Sequence, residues 1–255
     1  MRLTTSTFLL VCVSSAILGS TATNDGEKSG LVRHRRLAQK GLYAKRDEEN
    51  TVKYRFTENV TEVLKQIFKK AVKEWETGTC LKFTEDHSDK EDNDTITLFY
   101  ESGPCFTDKQ KLYISDYCFD VGGVAHELGH ALGLGHAHSR QDRDEFITIN
   151  ETNVKLFYND TAALYEEMFE EEFNVTFETF KEQYEKMNET TENNYSLPYD
   201  YGSIMHYAPD LRFPPMVPVD EHHLRTMGSL LISFLDRLTI NHHYNCTAWL
   251  MRQHS

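Results

Sequence analysis

Three histidines and a glutamate near the middle of the chain have the spacing of a metal site. Residues 126–136 read His-Glu-Leu-Gly-His-Ala-Leu-Gly-Leu-Gly-His. Because side chains four positions apart lie on one face of a helix, His126 and His130 can direct two imidazoles at one ion. Glu127 follows the first histidine, which places its carboxylate near the open side of that ion. With a third imidazole from His136, the ligand set is that of a catalytic zinc, which keeps one position open.

The third histidine requires a turn in the chain, because a straight helix cannot direct His136 at the same ion. Gly133 lies where the end of a helix favours a residue that tolerates positive φ, and we expect the turn there. The alternative is a buried helix with incidental histidines, but three imidazoles and a carboxylate have no use in apolar packing. We therefore predict one zinc ion, held by His126, His130 and His136.

A second stretch spans residues 198–207 and reads Pro-Tyr-Asp-Tyr-Gly-Ser-Ile-Met-His-Tyr. A methionine in a tight turn can place its thioether beneath three zinc-binding imidazoles as an apolar floor. Tyr207, two residues after Met205, can bring a phenol near the metal. Alone, this stretch would indicate a core methionine and a half-buried tyrosine. Downstream of a complete zinc motif, it favours a turn that supports the metal site.

The residues before the zinc motif indicate strands with one intervening helix. We predict strands over residues 52–56, 81–83, 94–100 and 112–115. Between the first two strands, apolar residues recur at helical spacing, at Val60, Leu64, Ile67, Ala71 and Trp75. Asn59 and Glu62 have the spacing of a capping box at the start of that helix. This order of elements predicts an α/β half with a mixed sheet, which leads into the zinc helix.

The composition indicates a folded, acidic protein of one or two domains. Of the 255 residues, 39% are hydrophobic, which is enough for a core, and the formal net charge is −13. A protein that binds nucleic acid is expected to carry a basic stripe, so this charge argues against that class.

The N-terminus has the features of an exported protein. A charged start is followed by an apolar run from Phe8 to Leu18 and by small residues, as in a secretory signal peptide. Arg33-His34-Arg35-Arg36 resembles a proprotein-convertase site. The alternatives are a buried N-terminal helix and a solvated basic turn. We expect a signal peptide over 1–22, a short propeptide over 23–36 and a folded domain over 37–255. No later apolar run is long enough to span a membrane.

Four cysteines remain after removal of such a signal peptide: Cys80, Cys105, Cys118 and Cys246. An even number in a secreted chain indicates two disulfides, for which three pairings are possible. Eight N-x-S/T sequons fit an exported glycoprotein. They are Asn59, Asn93, Asn150, Asn159, Asn174, Asn188, Asn194 and Asn245.

Residues 159–194 are rich in glutamate and in aromatic side chains. The aromatic residues recur every three or four positions, at Tyr165, Phe169, Phe173, Phe177, Phe180 and Tyr184. The pattern predicts an acidic amphipathic helix pair, or one helix broken by the sequons. The aromatic stripe is either a packing surface beneath a solvated acidic face or part of an exosite for basic substrates. Spacing alone does not separate these two interpretations.

With the zinc motif and the methionine turn in view, the chain resembles the astacin family of zinc metalloendopeptidases, which are metzincins. His138 to Asp144 resembles the astacin run after the third histidine, and Ser203 to Tyr207 resembles the astacin Met-turn. Cys118 and Gly122 match the approach to the zinc helix. The similarity covers about Val52 to Cys246.

This resemblance implies an α+β fold of the metzincin type. Its N-terminal half would contain a mixed twisted sheet and two long helices, and its C-terminal half would be largely irregular with a C-terminal helix. The active-site cleft would lie between the halves, and residues 37–255 would form one astacin-like peptidase domain. The family also implies disulfides between Cys80 and Cys246 and between Cys105 and Cys118.

The activity that the resemblance implies is hydrolysis of peptide bonds in extracellular proteins by a secreted enzyme made as a zymogen. Glu127 would be the general base toward a zinc-activated water. By resemblance, Tyr207 would be a labile fifth zinc ligand that swings off to stabilise the oxyanion when substrate binds. The expected partners are protein or peptide substrates. The alternative is a catalytically inactive secreted glycoprotein on the same scaffold.

Three features depart from the family pattern. Astacins place a glutamate directly after the third histidine, where it helps to seat the trimmed N-terminus, but this chain has Ala137. Its short propeptide lacks the Phe-x-Gly-Asp switch of many astacins, and the segment between Asp144 and Pro198 is longer than usual. Arg212, just past the Met-turn, gives the hypothesis of a preference for acidic residues beyond the scissile bond.

Overall fold

The computed structural model describes Ala44 and residues 46–47, 49–88, 93–169, 175–187, 193–210 and 212–246, without the side chains of 168 and 169. The signal peptide and propeptide expected over 1–36, and the sequons Asn174 and Asn188, lie outside the described residues.

A five-stranded sheet forms the first half of the molecule. Its strands are β1 (Thr51–Phe56), β2 (Lys82–Glu85), β3 (Ile96–Tyr100), β4 (Phe106–Asp108) and β5 (Lys111–Ile114). Their order is β2-β1-β3-β5-β4, with β4 antiparallel to β5 and all other neighbours parallel. The predicted mixed sheet is confirmed. The three-residue β4, which was not predicted from the sequence, is the strand that makes the sheet mixed.

Two helices pack on this sheet and on each other. Helix α1 (Glu62–Glu76) buries one apolar face, which includes Phe68 and Trp75, and helix α2 (Val121–Ala131) contains the first part of the zinc motif. The indole Nε1–H of Trp75 donates to the carbonyl oxygen of Ala125 at 3.0 Å, so α1 fixes the position of α2.

The capping box predicted at Asn59 and Glu62 is wrong. Thr61 is the N-cap of α1, and its hydroxyl accepts a hydrogen bond from the backbone N–H of Leu64. The amide of Asn59 instead donates to the carbonyl oxygen of Tyr100 at 2.6 Å. A side chain that bonds across to the end of β3 is not available to cap the helix.

The second half contains less regular structure. Its elements are β6 (Ile147–Ile149), α3 (Glu151–Phe169), α4 (Phe177–Lys181), β7 (Met216–Pro218) and α5 (Phe234–His243), with β6 and β7 antiparallel. The helix pair predicted for residues 159–194 is present as α3 and α4. Helix α3 begins earlier than expected, where the side chain of Asn150 accepts from the backbone N–H of Asn153. Phe180 and Tyr184 are buried, which supports the packing interpretation of the aromatic stripe.

Two buried apolar clusters hold these elements together. The larger one joins the sheet, α1 and α2 to Ile204, Met205 and residues of α5, and the smaller one lies beneath α3, α4 and β7. Disulfides Cys80–Cys246 and Cys105–Cys118 are both present, as the family resemblance implies. In the described part of the chain, none of the helices combines the length and apolar character needed to cross a membrane.

Candidate zinc site

Helix α2 ends where the metal site requires a turn. Asp120 caps its start by accepting hydrogen bonds from the backbone N–H groups of Gly122 and Gly123. After Ala131 the chain turns through Gly133, whose φ of 98° favours glycine. The predicted turn is confirmed, and it returns the chain so that His136 faces α2.

The three predicted ligands converge on one point. Candidate ligand atoms of His126, His130 and His136 all lie within 4.8 Å of one another. The Nε2 atoms of His130 and His136 are 3.2 Å apart. Two tetrahedral ligands at the usual zinc distance would be separated by about 3.3 Å, so this spacing fits one zinc ion.

Hydrogen bonds to backbone carbonyls fix the tautomers of two ligands. The Nδ1–H of His126 donates to the Ile204 oxygen at 2.7 Å, and that of His130 donates to the Leu134 oxygen at 2.8 Å. A carbonyl can only accept, so in the neutral rings the lone pair lies on Nε2. The Nε2 of His126 is buried and has no hydrogen-bond partner among the described residues. Such an unsatisfied buried acceptor fits a metal ion.

Two of the three ligands, His126 and His136, are neutral in the folded protein. Burial lowers the pKa of His126 to about 4. Burial, together with the neighbouring histidines, lowers the pKa of His136 well below its ordinary range. Because a metal binds the unprotonated imidazole, these low pKa values keep the ligands ready for zinc near neutral pH.

Glu127 is buried beside the ligands, and a hydroxyl group holds its carboxylate. The side chain of Glu127 lines one cavity together with His126, at the start of α2 and against Leu230. The hydroxyl of Thr107, on β4, lies 2.8 Å from Oε2 of Glu127 and 3.0 Å from its main-chain oxygen. Thr107 was not predicted as a site residue, because the strand that carries it was not predicted either.

Met205, the residue of the predicted methionine floor, is buried against the zinc helix. Met205 is 1% exposed, and its sulfur would lie 2.7 Å from a Cβ atom built on Gly129, one residue before His130. The backbone N–H of Ala137 donates to the Met205 carbonyl oxygen at 2.9 Å, which fastens the turn to the residue after the third ligand. The side chain of Ala137 packs against Met187. At the position where astacins carry a glutamate, this chain thus has an alanine that makes an apolar contact.

The ring of Tyr207 packs against one of the metal ligands, His136, and against His138. Its ring centroid is 4.5 Å from that of His136 and 4.2 Å from that of His138. Tyr184, which follows α4, packs on Tyr207 at 6.2 Å. The longer segment between the third histidine and the Met-turn therefore supplies a ring that packs on Tyr207.

A buried carboxylate from α5 holds the Met-turn. Asp236 accepts hydrogen bonds from the Ser203 hydroxyl at 2.6 Å and from the backbone N–H of Ile204 at 3.0 Å. It also accepts from the backbone N–H of Ser233, which completes a capping box. Burial raises the pKa of the Asp236 carboxyl. The backbone of Ile204 is thus held at both of its polar groups. Its N–H donates to Asp236, and its carbonyl oxygen accepts from His126.

Arg212, the residue behind the hypothesis of an acidic preference, is not an isolated charge. Its guanidinium forms an ion pair with Asp160 on α3. The preference stays a hypothesis, and this pair opposes it, since Asp160 competes with an acidic substrate for the same group.

A metzincin-type zinc metallopeptidase is the class that this fold and its three-histidine site define. The model of the Astacin peptidase family matches residues 40–180 and 174–245. The chain belongs to the astacin family, and its three converging histidines form the family's zinc-binding triad.

The names of two similar proteins agree with this assignment. Zinc metalloproteinase nas-22 from Caenorhabditis elegans is 33% identical over 239 residues, which cover 88% of this chain and 58% of that protein. Zinc metalloproteinase nas-31 from the same organism is 31% identical over 207 residues, covering 77% of this chain and 30% of that protein. The chain thus spans less than two thirds of the length of these relatives.

A solved structure shows the same fold. High choriolytic enzyme 1, a hatching enzyme zinc-protease from the medaka fish Oryzias latipes, matches with a TM-score of 0.62 and 22% sequence identity. The match covers 80% of this chain and 95% of that one. It confirms the α+β architecture that the family resemblance implies.

Proposed function

We propose that this protein is a secreted zinc-dependent endopeptidase that hydrolyses peptide bonds of extracellular proteins. One observation carries the proposal. Imidazole nitrogens of the three histidines converge within 4.8 Å of one another, and the buried carboxylate of Glu127 lines a cavity together with one of them, His126. This combination serves metal-assisted hydrolysis, whereas a purely structural zinc site has no use for the carboxylate.

Each residue of the site has a separate role in the proposed hydrolysis. Zinc, when held by His126, His130 and His136, supplies Lewis acidity and lowers the pKa of a bound water to about 7. Glu127 takes a proton from the attacking water and then gives it to the departing amine. Tyr207 donates its phenolic hydrogen to the oxygen that becomes negative in the transition state.

The edge of the sheet can bind a polypeptide substrate. Strand β4 is the edge of the sheet, and its Thr107 contacts Glu127. An edge strand offers unpaired backbone groups to which an extended peptide can add as a further strand. Such binding places the middle of a peptide, rather than its end, beside the general base, as an endopeptidase requires.

We also propose that the enzyme is made as a glycosylated precursor. Removal of residues 1–22 during export and cleavage after Arg36 would release the domain that begins at Leu37. The sequons Asn93, Asn150 and Asn159 are exposed, so glycans can extend into solvent. Residues 23–36 contain no Phe-x-Gly-Asp motif.

The test compares the zinc-loaded protein, cleaved after Arg36, with its Glu127→Gln variant in a casein digestion. We expect the variant to lose turnover by several orders of magnitude while it keeps one equivalent of zinc, because glutamine is similar in size but cannot take a proton. A chelator should abolish activity of the wild-type protein, and added zinc should restore it.

Two outcomes would contradict the proposal. Full activity of Glu127→Gln would remove the general base. Absence of digestion by the zinc-loaded wild-type protein would favour the catalytically inactive glycoprotein instead.

A further inference from the structure

The hydroxyl of Thr107 contacts the glutamate to which we assign the general-base role. Its oxygen lies 2.8 Å from Oε2 of Glu127 and 3.0 Å from the main-chain oxygen of the same residue. A threonine hydroxyl has only one hydrogen to donate. The carboxylate is the stronger acceptor, because hydrogen bonds to an ionised group are shorter and about twice as strong as neutral ones.

This hydroxyl restrains the direction of the carboxylate. The bond between the last two carbons of a glutamate side chain has only a broad torsional preference, so an unrestrained carboxylate rotates. Fixing Oε2 at the Thr107 hydroxyl fixes the plane of the group. The position of the other oxygen, Oε1, relative to the three imidazoles is then fixed as well.

The strand that carries Thr107 is itself held against the zinc helix. Thr107 pairs with Leu112 of the adjacent β5. Two residues earlier, Cys105 forms the disulfide with Cys118, which precedes the start of α2. The hydroxyl and the carboxylate therefore sit on elements that a covalent bond and a strand pair hold together, which is the condition for a preorganised contact.

The same hydroxyl can accommodate both protonation states of the general base. When Glu127 is ionised, the hydroxyl donates to Oε2. When Glu127 carries a proton on Oε2, that proton can be donated to the Thr107 oxygen while the hydroxyl hydrogen turns to the main-chain oxygen of Glu127, which lies 3.0 Å away. No heavy atom has to move, so the contact is kept through a catalytic cycle.

We propose that Thr107 is a positioning residue for the general base: its hydroxyl orients the Glu127 carboxylate for proton transfer. The inference rests on the proposed function, because it assumes that Glu127 takes the proton. In this role the Thr107 hydroxyl touches neither substrate nor metal, and it acts through Glu127.

The test replaces Thr107 with valine, which keeps the shape and the β propensity but removes the hydroxyl. We expect kcat to fall about ten- to hundred-fold, the cost of a misplaced catalytic group. KM and the zinc dissociation constant should each stay within about twofold. Thr107→Ser, which restores a hydroxyl, should recover most of kcat, and Thr97→Val on β3 is the matched control, with wild-type kinetics expected.

Crystal structures of the zinc-loaded variants give a readout besides activity. The carboxylate plane of Glu127 should turn in Thr107→Val and keep its wild-type direction in Thr107→Ser. Wild-type kcat in Thr107→Val, or an unmoved carboxylate, would overturn the inference. If Glu127→Gln is inactive while Thr107→Val is fully active, only the positioning role fails. If Glu127→Gln is fully active, the proposed function fails first.

Discussion

At the scale of single residues, the metal site depends on one position that carries no side chain. Gly129 lies between Glu127 and His130 on α2, where the helix meets the Met-turn. A Cβ atom there would approach the Met205 sulfur to 2.7 Å and the Trp75 ring to 3.2 Å. Both neighbours are buried, so the crowding cannot be relieved toward solvent. The methionine floor therefore lies close to the helix only because residue 129 is a glycine.

Gly129→Ala should destabilise the protein by about 1–3 kcal/mol, the usual cost of overpacking a core. Because Met205 has to move, zinc affinity should fall as well. Thermal unfolding and chelator competition measure the two effects. The same substitution should cost much less in a Met205→Ala background, which provides the missing space. Equal costs in both backgrounds would show that the contact with Met205 is not the cause.

At the scale of elements, the first turn of α5 supports a zinc ligand that is far away in the sequence. The Asp236 carboxylate holds the backbone N–H of Ile204, and the carbonyl of Ile204 holds His126. The partners that orient metal-binding histidines typically change metal affinity about 10- to 100-fold when they are removed. Helix α5 thus contributes to the metal site without contacting the metal.

Asp236→Ala should weaken zinc binding about tenfold or more, as measured by chelator competition. Asp236→Asn should bind zinc nearly as well as the wild type, because an amide oxygen can accept from the backbone N–H groups of Ile204 and Ser233. Ser233→Ala serves as the control, since it loses the helix cap but leaves the contact between Asp236 and Ile204. If Ser233→Ala weakened zinc binding as much as Asp236→Ala, general destabilisation of α5 would be the explanation.

The metal ligands were predictable from the sequence because their geometry is local. His126, His130 and His136 lie on one helix and the turn that follows it, so helical spacing and one glycine determine their convergence. The α1 helix and four of the five strands were predictable from the pattern of apolar residues. Their predicted ends lie within two residues of the observed ends.

The supporting contacts were not predictable from the sequence, because they join residues that are distant along the chain. Thr107 lies 20 positions from Glu127, and Asp236 lies 32 positions from Ile204. Strand β4 has three residues, too few for an alternating pattern. The cap at Asn59 failed because a tertiary hydrogen bond to Tyr100 outweighed a local motif.

At the scale of the whole molecule, several histidines are buried or half-buried in neutral form. Burial lowers the pKa of His206 and of His243 to about 4. Burial also lowers the pKa of His138 well below its ordinary range. His243, near the end of α5, shares a hydrogen bond with the Tyr195 hydroxyl and is not one of the three zinc ligands. It therefore reports on stability separately from the release of metal.

The stability of the protein should fall as the pH drops from about 6.5 to about 4. The pKa of His243 is lower in the folded protein than the ordinary value of about 6.5, so the unfolded chain binds a proton that the folded chain does not. Its contribution is complete above about pH 6.5 and is lost toward about pH 4. At about 1.4 kcal/mol per pKa unit, the loss is at most about 3.5 kcal/mol.

His243→Gln should reduce this pH dependence, because glutamine can still bond Tyr195 but does not titrate. Urea unfolding of both proteins between about pH 4 and pH 7 measures the difference, and zinc release affects both equally. Identical pH profiles would mean that His243 is already accessible to protons in the folded state.

The larger apolar cluster contains residues from both ends of the described chain. Ile240, Tyr244 and Cys246 are buried in the same cluster as residues of β1 and α1. Many proteins fold in the order in which the ribosome makes them, N-terminal region first. Here the first half lacks part of its interior until Tyr244 and Cys246 have left the ribosome. The zinc site is therefore complete only after both halves of the chain have been translated. A nascent chain that ends before α5 lacks the contacts that hold Ile204 and His126 in place.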